Sequence, residues 1–122
     1  MASLVDPVGK QALIVVDVQN DFCPGGALAV SHGDEVVEPL NELIDEFLER
    51  GDPVYKSRDW HPAATKHFKS YGGMWPVHCV QNTEGAEFHP ALRDDPRMAG
   101  QRLRGVGQPG AAVHVGDVVL PQ

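Results

Sequence analysis

The chain has 122 residues, 42% of them hydrophobic, and 17 acidic against 10 basic side chains give it a formal net charge of −7. That is the length of one domain, and the acidic balance excludes nucleic acid, whose phosphates it would repel. No run is long enough to span a membrane, Met1–Lys10 holds no apolar signal core, and two cysteines make no disulfide framework, so a cytoplasmic protein is expected.

In chain order, Ala12–Val18 is a near-continuous β-branched run with apolar residues on both faces, the pattern of a strand buried on both sides of a parallel sheet. Pro24-Gly25-Gly26 breaks it into a loop. Val36, Val37, Leu40, Leu43, Ile44, Phe47 and Leu48 then fall at helical spacing, with acidic residues mostly opposite. Asp34 is the expected N-cap, Pro39 fits only near the first turn, and Gly51 is the expected stop. Pro53–Ser57 reads as a second strand. This β-α-β order is the unit that builds a parallel sheet through a right-handed crossover.

Beyond Ser57, Trp60, Pro62, Gly72, Gly73, Trp75 and Pro76 mark a loop-rich stretch, and a short strand is expected only over Ala111–Leu120. Gly105-Val-Gly107-Gln-Pro-Gly110 matches G-x-G-x-x-G formally but follows no strand and carries Pro109 where a helix would be under way, so it is no dinucleotide site. Two or three strands bury too little for a doubly wound sheet, which uses about five. The chain therefore reads as the front of a larger α/β fold.

Ligands of open parallel sheets bind outside the carboxyl ends of the strands. Asp17 and Gln19 stand at that end of the first strand, and Asp59 and His61 at that end of the second. In an extended segment alternate side chains share a face, so Asp59 and His61 can point at one ion, with His78 as third ligand. One carboxylate and two imidazoles without thiolates suit zinc, iron or manganese and leave positions open for water or substrate. Taken singly, each residue also has a structural reading: Asp17 as a loop cap, Phe22 and Trp75 as core, His67 and His89 as surface.

Four segments then carry a resemblance: Val16-Asp-Val-Gln-Asn-Asp-Phe-Cys-Pro-Gly-Gly26, Ser57-Arg-Asp-Trp-His-Pro62, Trp75-Pro-Val-His-Cys-Val-Gln81 and Gly85-Ala-Glu-Phe-His-Pro90. In order and spacing, from about residue 12 to residue 92, they resemble the nicotinamidases of the isochorismatase-like cysteine hydrolases. The resemblance implies a three-layer α/β/α fold with a central parallel sheet, here incomplete on its C-terminal side. It implies deamidation of nicotinamide, and of pyrazinamide, to the acid and ammonia in NAD salvage. Asp17 would be the base that deprotonates a cysteine nucleophile with help from a lysine. Asp59, His61 and His78 would hold one divalent metal ion (zinc, iron or manganese) to which the ring nitrogen of the substrate binds. Phe22 and Trp75 would flank that ring, with Gln19 also in the substrate pocket, and His67 matches a further histidine that some members use.

The likeness stops near Arg93–Arg97. Arg104-Gly105 stands where a Lys-Gly is expected, Lys69 is the last lysine, and no cysteine follows Cys79. Cys23 and Cys79 match positions that are not the nucleophile. Residues 1–96 are accordingly expected to form the N-terminal part of an isochorismatase-like hydrolase domain, and 97–122 an atypical tail of a truncated or frame-shifted reading. The expected partner is a small-molecule amide, with a homo-oligomer left open. The alternative is a catalytically inactive metal- or ligand-binding fragment of the same family.

Overall fold

The computed structural model describes residues 9–98. Strand β1 (Leu13–Val16) and strand β2 (Val54–Ser57) pair in parallel, in the register Leu13↔Val54 to Val16↔Ser57. Helix α1 (Val37–Glu49) links them and packs on one face of the sheet. This is the α/β arrangement with a parallel sheet that the β-α-β order requires.

The core is the seam between that face and the helix. Val15 and Val54 meet Val37, Ile44, Phe47 and Leu48, and Val18, Leu92 and Met98 close the same cluster. Each such side chain contributes about 1.5–3 kcal/mol on leaving water. The helical repeat does the sorting, because positions three and four apart share the face that meets the sheet. Arg93 reinforces the seam from outside: its guanidinium forms two bonds to Asp45 at 2.9 and 3.0 Å, and its N–H donates to Asn41 Oδ1 at 2.7 Å.

Both helix ends differ in kind. A 3-10 turn over Gly33–Val36 leads into α1, so Val36 holds the N-cap position without a side-chain cap and Asp34 lies inside the turn. The expected aspartate cap is therefore two residues early. At the other end Gly51, with φ 79°, accepts the left-handed backbone, and Gly51 N–H and Asp52 N–H reach back to the carbonyls of Leu48 (3.1 Å) and Phe47 (2.9 Å). That pair of bonds is a Schellman closure, and glycine suits it because a Cβ is disfavoured at positive φ.

The expectation that β1 is buried on both faces is met on one. Val15 is buried, whereas Ile14 and Val16 are 50% and 53% exposed, because among the described residues only one helix covers the sheet. Among the same residues no helix is long and apolar enough to cross a membrane. The expected strand Ala111–Leu120, the glycine-rich motif and nearly all of the expected tail lie outside the described residues.

Candidate metal centre

The site begins where the two strands end. Asp17 follows β1 with φ 52°, a left-handed conformation that aspartate tolerates better than most residues. Its N–H donates to the Ser57 carbonyl at 3.1 Å, and Ser57 Oγ donates to its Oδ1 at 3.0 Å. The last residue of β2 thus grips the first residue beyond β1.

From β2 the chain runs through Asp59 to His61, and there it finds a third partner. His61 N–H donates to the Cys79 carbonyl and Gln81 N–H to the His61 carbonyl, both at 2.9 Å, making a parallel bridge between His61 and Val80. This bridge carries His78 to the side of His61, and the two rings meet edge to face with centroids 5.0 Å apart. Phe68, wholly buried, lies edge-on to both imidazoles at 5.5 Å, and the Phe22 ring stands 5.8 Å from His78.

Asp59 joins the two rings. Its Oδ1 lies 2.8 Å from His61 Nε2 and its Oδ2 3.0 Å from His78 Nε2. The candidate ligand atoms of these three residues all fall within 4.8 Å of one another, with both histidines buried. His78 Nδ1 lies 2.7 Å from the Pro76 carbonyl, which can only accept, so Nδ1 carries the proton of that bond. With Nδ1 engaged on that carbonyl, Nε2 is the ring nitrogen that faces the Asp59 carboxylate and the atom left for an ion. A second partner fixing the outer ring nitrogen is also what a metal-binding histidine normally has. The donor set and its geometry fit a divalent ion, with room for fewer protein ligands than a closed structural site uses.

The three expected ligands are therefore brought together. Of the expected pocket residues, Phe22 stands beside this cluster. Trp75 lies about half exposed on the adjoining loop, its N–H on the His67 carbonyl at 3.0 Å and its carbonyl accepting Lys69 N–H at 2.7 Å. Gln19, expected in the pocket, is wholly buried, and its side-chain amide bonds backbone groups of Asp59 and Ala86. His67 lies beside the cluster with its ring 5.9 Å from that of His61. His89 serves its own turn, Nδ1 accepting Ala91 N–H at 3.0 Å.

Two supporting residues escaped the sequence reading. Phe68 forms the apolar wall behind both imidazoles, and a single aromatic in a loop gives no periodic signal. Asp21 ties three loops: Oδ2 accepts Cys79 N–H at 2.8 Å, Oδ1 accepts Ala27 N–H at 3.1 Å, and its carboxylate packs against Gly85. Asp21 lies inside the first of the four resemblance segments, but a carboxylate bonded to backbone N–H groups gives no spacing of its own.

Neither thiol is prepared as a nucleophile. Cys79 is buried, and desolvation, then the carboxylates of Asp59, Asp21 and Asp17, push its pKa well above the ordinary thiol range. Burial and Asp34 raise that of Cys23. Both cysteines are unpaired. Thiolate is the reactive form, and these surroundings disfavour it.

Comparison with known proteins supplies a frame for this geometry. The Isochorismatase domain family matches residues 11–102. A nicotinamidase of Escherichia coli (strain K12) is 48% identical over 97 residues, covering 67% of this chain and 46% of that protein. A nicotinamidase/pyrazinamidase of Mycobacterium tuberculosis is 42% identical over 85 residues, covering 67% and 45%. The crystal structure of a pyrazinamidase of Pyrococcus horikoshii in complex with zinc superposes with a TM-score of 0.66 at 52% identity, over 71% of this chain and 49% of that one. The chain spans about half the length of the curated relatives it matches.

Proposed function

The chain belongs to the isochorismatase family, and from that membership we propose that it carries the metal centre and general base of a nicotinamidase-type amidohydrolase. The substrate class is a small aromatic amide, nicotinamide or pyrazinamide, converted to the acid and ammonia in NAD salvage. The observation that carries the reading is the meeting of Asp59, His61 and His78, with Nε2 of both histidines facing the carboxylate. Relatives named as nicotinamidases, and a neighbour whose structure contains zinc, support it.

In this reading Asp59, His61 and His78 hold one divalent ion: zinc, iron or manganese. The ion supplies an anchoring point for a ring nitrogen. Phe22 and Trp75 bound the space for the ring, Phe22 beside His78 and Trp75 on the adjoining loop. Asp17 is the proton acceptor, held by Ser57 at the end of the sheet. The unpaired cysteines fit a cytoplasmic setting.

A second reading, ligand binding without turnover, has its own support: both thiols of the chain sit where ionisation is disfavoured. One experiment separates the two. The 122-residue chain is titrated with nicotinamide with and without zinc, and ammonia is measured under the same conditions. Zinc-dependent binding with ammonia release establishes the hydrolase, and binding without release establishes the second reading. Binding indifferent to zinc and to a chelator refutes the metal site in both.

A further inference from the structure

Gln19, two residues past Asp17, is fully buried. Its Oε1 accepts the Asp59 N–H at 2.7 Å. Its Nε2 donates to the Asp59 carbonyl and to the Ala86 carbonyl, both at 2.8 Å. A side-chain amide has one acceptor oxygen and two N–H donors, and here both donors and the oxygen are engaged with backbone. The N–H and the carbonyl of one residue are gripped together, and that residue is Asp59, whose two oxygens reach the two imidazoles.

We propose that Gln19 is a positioning residue of the metal centre, fixing the Asp59 backbone before any ion arrives. The inference rests on the metal reading above. Holding the peptides on both sides of Asp59 removes its backbone freedom and leaves chiefly the side-chain torsions to bring both oxygens to the ion. The ordering is then completed on folding instead of on binding, which strengthens binding. The third bond, to Ala86, joins Asp59 through Gln19 to the loop that also packs against Asp21. Because the groups engaged are backbone, the role belongs to the amide of Gln19 and not to any particular neighbour.

The substitutions follow from the chemistry. Gln19→Met keeps the length and removes all three bonds. Gln19→Glu keeps the acceptor but turns a carboxylate oxygen on two carbonyls. Asn20→Ala is the control: Asn20 Nδ2 donates to the Glu84 carbonyl at 2.8 Å on the exposed side, so it ties the same loops without touching Asp59.

The test measures zinc affinity of the full 122-residue chain by competition with a chromophoric chelator, for wild type and the three variants. Hydrogen exchange at the Asp59 amide is followed in the wild type without and with zinc. Gln19→Met and Gln19→Glu are expected to weaken zinc binding by about 10–100-fold, the usual effect of losing an outer partner of a ligand. Asn20→Ala is expected to leave it unchanged, and the Asp59 amide to exchange slowly without zinc. Unchanged affinity in Gln19→Met, an equal loss in Asn20→Ala, or an Asp59 amide protected only after zinc is added would each overturn the proposal. If the Gln19 variants do not fold, the wild-type exchange measurement decides alone. A wild type that binds no zinc defeats the metal reading itself, whereas zinc held equally by wild type and Gln19→Met defeats this inference only.

Discussion

Ser57 Oγ donates a hydrogen bond to Asp17 Oδ1 at 3.0 Å, across the parallel pair and from a side chain with no solvent exposure. The hydroxyl sits at the carboxyl end of the sheet and sets where the Asp17 carboxylate points. Ser57→Ala removes a buried bond to an acidic group, and a loss of about 1.5–3 kcal/mol is expected. Urea unfolding should show a lower midpoint at unchanged slope. An unaltered midpoint would mean that the bond contributes nothing net.

Asp59→Ala takes one of the three proposed ligands and the carboxylate between two imidazoles. Zinc content after dialysis, measured by elemental analysis, is expected to fall to background. Zinc retained at the wild-type ratio would refute the ligand assignment.

Gly85→Ala is expected to act on the site through a neighbour. A Cβ at Gly85 would run into the Asp21 carboxylate, which must then move and release the Cys79 amide beside His78. Overpacking of this kind costs about 1–3 kcal/mol. The expected result is lower stability together with weaker zinc binding. Stability lost with affinity intact would show that Asp21 does not reach the centre.

Thiol labelling tests the surroundings of both cysteines. Their ionisation is pushed upward from the ordinary value of 9.0, mainly by burial. At mildly alkaline pH the native chain should react slowly with an aromatic disulfide reagent, and quickly once denatured. The linkage has a definite sign: with the folded thiols raised, their stabilising contribution is complete below the ordinary thiol pKa. It declines as pH rises above it, because the unfolded chain ionises first. Rapid labelling of the folded chain would contradict the burial described here.

Asp95 gives a test at the acid end. The Arg97 guanidinium and backbone N–H lower its carboxyl to about 2. A depressed carboxyl stabilises the fold above its ordinary pKa and loses that contribution as pH falls through the lowered one. Carbon-detected NMR titration should find its midpoint near that value in the wild type and nearer the ordinary range in Arg97→Ala. Coinciding midpoints would remove the pair as the cause.

The sheet, the helix and the cluster of Asp59, His61 and His78 were legible because each leaves a repeat or a spacing. Val37, Leu40, Ile44 and Phe47 recur at the helical period, and Gly51 marks the stop. Asp59 and His61 alternate as an extended segment demands, and the bridge from His61 to Val80 supplies the contact that spacing alone could not. The start of α1 was misjudged because Asp34 satisfies the composition of a cap while the chain first makes a 3-10 turn. The face of β1 left open among the described residues was not legible, because an apolar run records what a strand is suited to, not what covers it. The bonds of Gln19 were not legible, because a side-chain amide bonded to backbone 40 residues away leaves no trace in composition.

The left-handed backbone at Asp17 has a consequence for any saturation library at that position. Glycine and asparagine accept such a φ, whereas valine, isoleucine and threonine resist it. Under the proposed function, selection for expression and selection for amide turnover should therefore rank the substitutions differently: glycine and asparagine surviving the first and failing the second, β-branched residues failing both. One codon would then report separately on foldability and on proton transfer.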